Sequence, residues 1–353
     1  MRPCRPLSQL LRSAMPPRIR TFDALVLDRP RAPSEARKGV STIATIRVPV
    51  ASTRRYKDFP PGWGHIKVPM SSRSAALAGL ALYTPSLTRG IWAQRTAAAW
   101  VTVFGPRALP GRSFPWTPVS KMEWQELADR WRRELGAFDD IAGYSRLQAS
   151  RAGLALVLLH KGSPIAFVKC RQGDSVSLAN ERLAMEAVWS YRPRAFQVPE
   201  PLLSGSTGGW HYLISAPLPP GLHRPPRNPP LRAILAEVEA ALAVLPRPLE
   251  TPDHWRPMHG DFAPWNLRQL RDGSLVLVDW EEAGWAPPGA DEVFYRATRA
   301  ALEHRPADRC GTQEAVQFWR DYVLAQWLSQ PESARDRRLT QAVSESLGRM
   351  AGA

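Results

Sequence analysis

Met258-His-Gly-Asp-Phe-Ala-Pro-Trp-Asn-Leu267 is the stretch that decides how this 353-residue chain is read. It places a carboxylate, Asp261, ahead of an amide, Asn266, in the interval Asp-x-x-x-x-Asn. The turn Arg271-Asp-Gly-Ser274 follows, and a β run over Leu275–Val278 delivers Asp279-Trp280-Glu281. Phosphoryl transfer from a nucleotide requires a carboxylate that accepts the proton of the attacking hydroxyl. It also requires an amide and a carboxylate to hold Mg2+ on the phosphates, and a cation to orient them. Asp261, Asn266 and Asp279 arrive in the order and spacing that supply the first three.

Upstream, the cation belongs on an apolar strand, and Phe167-Val-Lys-Cys170 offers Lys169, the last lysine of the chain. Such a lysine needs a glutamate on the following helix to hold it toward the phosphates. Glu181 and Glu186 compete for that place. Five residues apart on a helix, they point about 140° away from each other, so only one can serve. Neither a Gly-x-Gly-x-x-Gly loop nor a Walker A sequence is present. The turn that would cover the phosphates is Gln148-Ala-Ser-Arg-Ala-Gly153, with Ser150 and Gly153 as candidates. The nucleotide base would meet the backbone of Leu213-Ile-Ser-Ala-Pro217, around Ser215.

At these residues the chain resembles the aminoglycoside phosphotransferase/choline kinase-like family, whose members carry His-Gly-Asp-x-x-x-x-Asn followed by Asp-x-Glu or Asp-x-Asp. The resemblance covers roughly residues 140–350. It implies an α+β, two-lobed protein-kinase-like fold and use of ATP or GTP with Mg2+. It further implies Asp261 as catalytic base, His259 as support of the loop, and Asn266 and Asp279 as metal ligands. Glu181 is preferred over Glu186 because Ala184, Met185, Val188 and Trp189 follow it in the family's rhythm. Glu281 completes the Asp-x-Glu, and Asp291 matches an acid that braces the catalytic loop. A simple helix N-cap is the other reading of Asp291.

Working outward, Ser120-Lys-Met-Glu123 reads as a capping box opening a helix that ends near Gly136. A hairpin over Leu154–Leu159 and Ile165–Cys170 comes next, then a helix over Leu178–Tyr191 and a second hairpin ending at Ile214. Pro217–Pro230 is too proline-dense for helix or inner strand and reads as a connector. Helices are expected at Leu231–Val244, Asp291–Glu303, Gln313–Ser329 and Ala334–Met350. The expected division is therefore a basic extension of unassigned fold over 1–119, a small β-rich lobe over 120–216, and a helical lobe over 217–353. Within the extension, β-like runs occur at Ala24–Asp28, Ile43–Val50 and His65–Val68.

The net charge of +15 is unevenly distributed. Residues 1–122 hold 20 basic and 4 acidic side chains, whereas residues 123–353 hold 27 and 28. The basic block suits an anionic partner: nucleic acid, an acidic membrane surface or a phosphorylated substrate; a merely Arg-rich surface is the alternative. A kinase-like binding module docking through this block is accordingly the second functional reading. The presence of Lys169, Asp261, Asn266 and Asp279 together favours an enzyme acting on a small hydroxyl compound: a sugar, a sugar derivative or an amino alcohol. Residues 300–353 balance seven acids with seven arginines, which disfavours a polycationic acceptor. Cys4, Cys170 and Cys310 are widely spaced, which excludes a disulfide scaffold and suits a cytoplasmic location. No apolar run approaches the roughly 18 residues that span a bilayer.

Overall fold

Alternation of apolar side chains along short runs builds an eight-stranded antiparallel sheet in the computed structural model. The structure describes residues 54–352 apart from 62–64, 83–84, 86–87, 146–152, 174, 309 and 324–333. The Arg-rich segment 1–22, the β runs at Ala24–Asp28 and Ile43–Val50, and Ser150 lie outside the described residues.

The strands are β1 (Arg55–Phe59), β2 (Ile66–Pro69), β3 (Phe114–Pro115), β4 (Asp140–Ser145), β5 (Leu154–His160), β6 (Ser163–Gln172), β7 (Pro201–Thr207) and β8 (Trp210–Ser215). They pair in the order β3-β1-β2-β4-β5-β6-β8-β7. Four helices accompany them: α1 (Arg73–Ala81), α2 (Thr88–Phe104), α3 (Lys121–Leu135) and α4 (Val176–Tyr191). Helix α3 opens on the expected capping box, with the Ser120 hydroxyl accepting from Glu123 N–H and the Glu123 carboxylate accepting from Ser120 N–H. It buries Trp124 and Trp131, and Trp131 meets Tyr212 of β8 edge-on at 5.7 Å. Burial of side chains this size stabilises a domain by roughly 1.5–3 kcal/mol each.

The division expected at residues 119/120 falls inside this sheet. β1, β2 and β3 precede it, yet β2 pairs with β4 through Ile66 and Tyr144. The α1 helix lies directly on β2, where a Cβ on Gly79 would come within 2.9 Å of the Pro69 ring. The small lobe thus draws strands from both sides of Ser120. Pairing between strands so far apart in sequence leaves no local pattern to read.

After the proline-rich connector, which bridges Arg224 to Gln269, the chain turns helical. Its elements are α5 (Leu231–Leu242), β9 (Arg256–Met258), β10 (Leu267–Gln269), β11 (Leu275–Leu277), β12 (Gly284–Ala286), α6 (Ala290–Glu303), α7 (Gln313–Tyr322) and α8 (Ala334–Gly352). This completes the α+β, two-lobed arrangement expected from the sequence. One apolar core joins α4 and α5 to Phe262, Leu267, Leu277 and Trp280, so the loop carrying Asp261 is anchored on both sides. A second core packs α6, α7 and α8 around Phe294 and Trp319. Among the described residues no helix is long and apolar enough to cross a membrane.

Candidate active site

Two small antiparallel ribbons hold the decisive loop. β9 pairs with β12, placing Met258 opposite Gly284, and β10 pairs with β11, placing Leu267 opposite Leu277. Residues 259–266 leave β9 and enter β10, while residues 278–283 leave β11 and enter β12. The two loops therefore lie against each other, and Gly260 is the point of contact. It has φ +84°, and a Cβ there would sit 1.9 Å from the Glu282 carbonyl oxygen. Glycine is required on both counts.

His259 is fully buried behind the loop. Its Nε2–H donates to the Val278 carbonyl at 3.2 Å, and its Nδ1 accepts from Asp261 N–H at 3.2 Å. Those partners require the neutral Nε2–H tautomer. Burial pushes the ring pKa down to about 4, which keeps it neutral. Asp291 braces the same loop from the first turn of α6. Its Oδ2 accepts from His259 N–H at 2.7 Å and its Oδ1 from Gly260 N–H at 3.1 Å. Burial pushes the Asp291 carboxyl up to about 7, against the pull of these two donors. The N-cap of α6 is Gly289, so Asp291 serves the loop rather than the cap.

The loop in turn fixes its acid. Asn266 Nδ2 donates to the Asp261 carbonyl and to Asp261 Oδ2, both at 2.9 Å. With its nitrogen engaged in this way, Asn266 retains its amide oxygen as a donor atom for a cation. Asp279 follows β11 with φ +73°, a left-handed conformation that costs a non-glycine residue about 1–3 kcal/mol. Its carboxylate pairs with Lys169 of β6.

Lys169 is the centre of a second cluster. Glu181 of α4 meets its Nζ at 2.5 Å, while Glu186 pairs with Arg182 on the outer face of the helix. The competition left open by spacing is thus resolved toward Glu181. Burial alone would lower the lysine pKa, but Asp279, Glu181 and Glu281 together hold the ammonium above its ordinary value. Glu181, Asp279 and Glu281 bring carboxylate oxygens within 4.8 Å of one another. Carboxylate oxygens of this kind are hard donors of the type that suits Mg2+.

Two residues escaped the sequence reading. Arg171, which shares a face of β6 with Lys169, pairs with Glu281. Asn180 Nδ2 donates to the Glu281 and Ala283 carbonyls at 2.9 Å each. Together they tie the small lobe to the loop bearing Asp279. The available signals were the period of two from Lys169 and the position of Asn180 beside Glu181.

Lys169, Arg171, Glu181, Asp261, Asn266, Asp279 and Glu281 line one cleft of about 2090 Å³, which Gly153, Ser215, Ala216 and Trp265 also line. Trp255 and Trp280 are buried in the core, and Trp265 and Trp280 line the cleft.

Solved structures resemble this chain. A thermostable mutant of aminoglycoside phosphotransferase APH(4)-Ia in ternary complex with ADP and hygromycin B is 14% identical, with 63% of this chain and 91% of that one covered and a TM-score of 0.37. Aminoglycoside phosphotransferase APH(3'')-Id from Streptomyces rimosus, in complex with ADP and streptomycin, is 16% identical over 55% of this chain and 90% of that one, with a TM-score of 0.32. The GDP and kanamycin complex of APH(2")-IIia is 10% identical over 63% and 97%, with a TM-score of 0.37. No curated protein matches the chain. A family model described as the phosphotransferase enzyme family (APH) matches residues 92–327, beginning inside α2 and running past α7, and the chain belongs to that family.

Proposed function

We propose that this phosphotransferase uses Mg2+ and ATP or GTP to phosphorylate a hydroxyl of a small polar molecule, a sugar, sugar derivative or amino alcohol. The observation that carries this reading is a pairing of centres in one cleft. Lys169 is held between Glu181 and Asp279, and Asp261 is held by Asn266.

In this reading Lys169 orients the phosphates, and Glu181 keeps its ammonium in place. The backbone at Ser215–Pro217 receives the base, and Gly153, on the wall of the same cleft, meets the phosphates. Asp279 and the Asn266 amide oxygen would hold Mg2+, which when bound neutralises the phosphate charge. Asp261 accepts the proton of the acceptor hydroxyl as its oxygen forms a bond to the γ-phosphorus. The bond from that phosphorus to the β,γ-bridging oxygen breaks, and the nucleoside diphosphate leaves with the electron pair. His259 and Asp291 keep Asp261 aimed through the loop backbone. Cys170 is buried and Cys310 half-buried, both as free thiols, which supports a reducing, cytoplasmic setting.

Nucleotide consumption by the full chain, measured against a panel of sugars and amino alcohols, tests the proposal. Turnover with at least one acceptor that Asp261→Asn abolishes is the expected result. Equal turnover in the parent and in Asp261→Asn would refute it.

A further inference from the structure

We infer that the acceptor bears an acidic group, a carboxylate or a phosphate, beside the hydroxyl that is phosphorylated; this rests on the kinase reading above. The argument is the distribution of charge around the cleft. Among the described residues that line it, the acids are Glu181, Asp261, Asp279 and Glu281. Glu181 and Asp279 are paired with Lys169, Glu281 is paired with Arg171, and Asp261 is the base. No described acid is left over to receive an ammonium on the acceptor.

The exposed part of the lining has the opposite character. Arg89 and Arg95 of α2, His304 at the end of α6 and Arg338 of α8 all line the same cleft and are solvent-exposed. Glu303, next to His304, does not line it, and its carboxylate is held by Arg299 at 2.8 Å and by Arg305 at 2.5 Å. Trp265, which lies in the loop between Asp261 and Asn266, adds an aromatic surface that suits a sugar ring. An aromatic platform beside a catalytic carboxylate, in a cleft that guanidinium groups also line, fits an acidic sugar derivative. A polyamine-like acceptor would meet like charge in that cleft instead. Arginine offers paired donors to carboxylate and phosphate alike, so both acids remain within the class.

The test uses the full chain with a matched set: glucose, glucosamine, glucuronate and glucose 6-phosphate. Turnover is measured by nucleotide consumption, and binding by titration calorimetry in the presence of Mg2+ and a non-hydrolysable nucleotide. The expected result is that glucuronate or glucose 6-phosphate binds or reacts about tenfold or more better than glucose, with glucosamine worst. The better of the two acids names the group. Arg95→Gln and Arg338→Gln should each raise the KM for that acid about 3–5-fold with kcat little changed, as exposed ion pairs worth up to about 1 kcal/mol imply. The preference should shrink as salt rises, because exposed charges are screened over about 8 Å at physiological ionic strength. If nucleotide binds but glucose or glucosamine equals or exceeds both acids, the acceptor inference falls and the kinase reading stands. If the chain binds no nucleotide with Mg2+, both fall.

Discussion

The two charged centres of the cleft are built in contrasting ways. Around Asp261 the bracing contacts of Asn266, His259, Val278 and Asp291 come from one segment running from β9 into the first turn of α6. Around Lys169, itself on β6, the contacts come from two other elements, with Glu181 on α4 and Asp279 110 residues away in the large lobe. The first centre is preorganised by local chain folding, whatever the lobes do. The second exists only when β6, α4 and the loop after β11 are brought together. Damage to the first should therefore appear in kcat, and damage to the second in nucleotide affinity.

The sharpest test of that division is the base itself. Asp261→Asn should lower kcat by about 10²–10⁴, the usual loss for a positioned general base. The nucleotide Kd should stay within about twofold, because the nucleotide is held at the Lys169 end. A parallel loss of nucleotide affinity would show that the two centres are one unit.

Gly260 probes whether the local centre is as rigid as its contacts suggest. Gly260→Ala must carry a side chain at φ +84° with its Cβ 1.9 Å from the Glu282 carbonyl oxygen. Left-handed strain alone costs about 1–3 kcal/mol, and the backbone clash adds to it. A drop in Tm with near-complete loss of kcat is expected. An unchanged Tm would mean that the loop gives way easily and is not preorganised.

The buried groups behind the loop make a pH signature. His259 is neutral and pushed down to about 4 from an ordinary 6.5. Its contribution to stability is complete above pH 6.5 and is lost as pH falls toward 4, since only the unfolded chain then gains the proton. Between pH 7 and pH 5 this amounts to about 2 kcal/mol. Asp291, pushed up to about 7 by burial, acts with the opposite sign: its contribution is present in acid and lost as pH rises through 7. Urea unfolding at pH 7 and pH 5 separates the two. Relative to the parent, His259→Gln should become more stable toward pH 5, and Asp291→Asn less stable. Identical slopes in all three proteins would show that neither group is held as described.

The contrast between centres also explains what was legible. The catalytic loop, the capping box of α3 and the strand bearing Lys169 are local patterns, each complete within a dozen residues of sequence. Asp291 was legible as a brace only through the family resemblance, and its bonds to His259 and Gly260 N–H agree with it. Arg171 and Asn180 were not, since their partners are a glutamate and carbonyls more than 100 residues away. Of the described strands before Ser120, the β run at His65–Val68 was legible as β2, but its pairing with β4, and the strands β1 and β3, were not, for the same reason. The basic lining could be counted but not placed, because Arg89 and Arg95 of α2 and Arg338 of α8 are more than 200 residues apart in sequence.

The mildest prediction concerns two glutamates of one helix. Glu181 and Glu186 are five positions apart on α4, and only Glu181 faces Lys169. Glu186 pairs with Arg182 at 2.8 Å, with both side chains nearly half exposed. A helical pair of that kind contributes about 0.3–0.5 kcal/mol, so Glu186→Gln should leave Tm, kcat and nucleotide Kd close to the parent values. Glu181→Gln removes the charge that fixes Lys169 and should weaken nucleotide binding clearly, with a smaller effect on kcat. The comparison holds helix propensity and side-chain volume nearly constant, so a difference between the variants reports on partner and burial alone. Equal effects on nucleotide Kd would mean that Lys169 is positioned by Asp279 without help from α4.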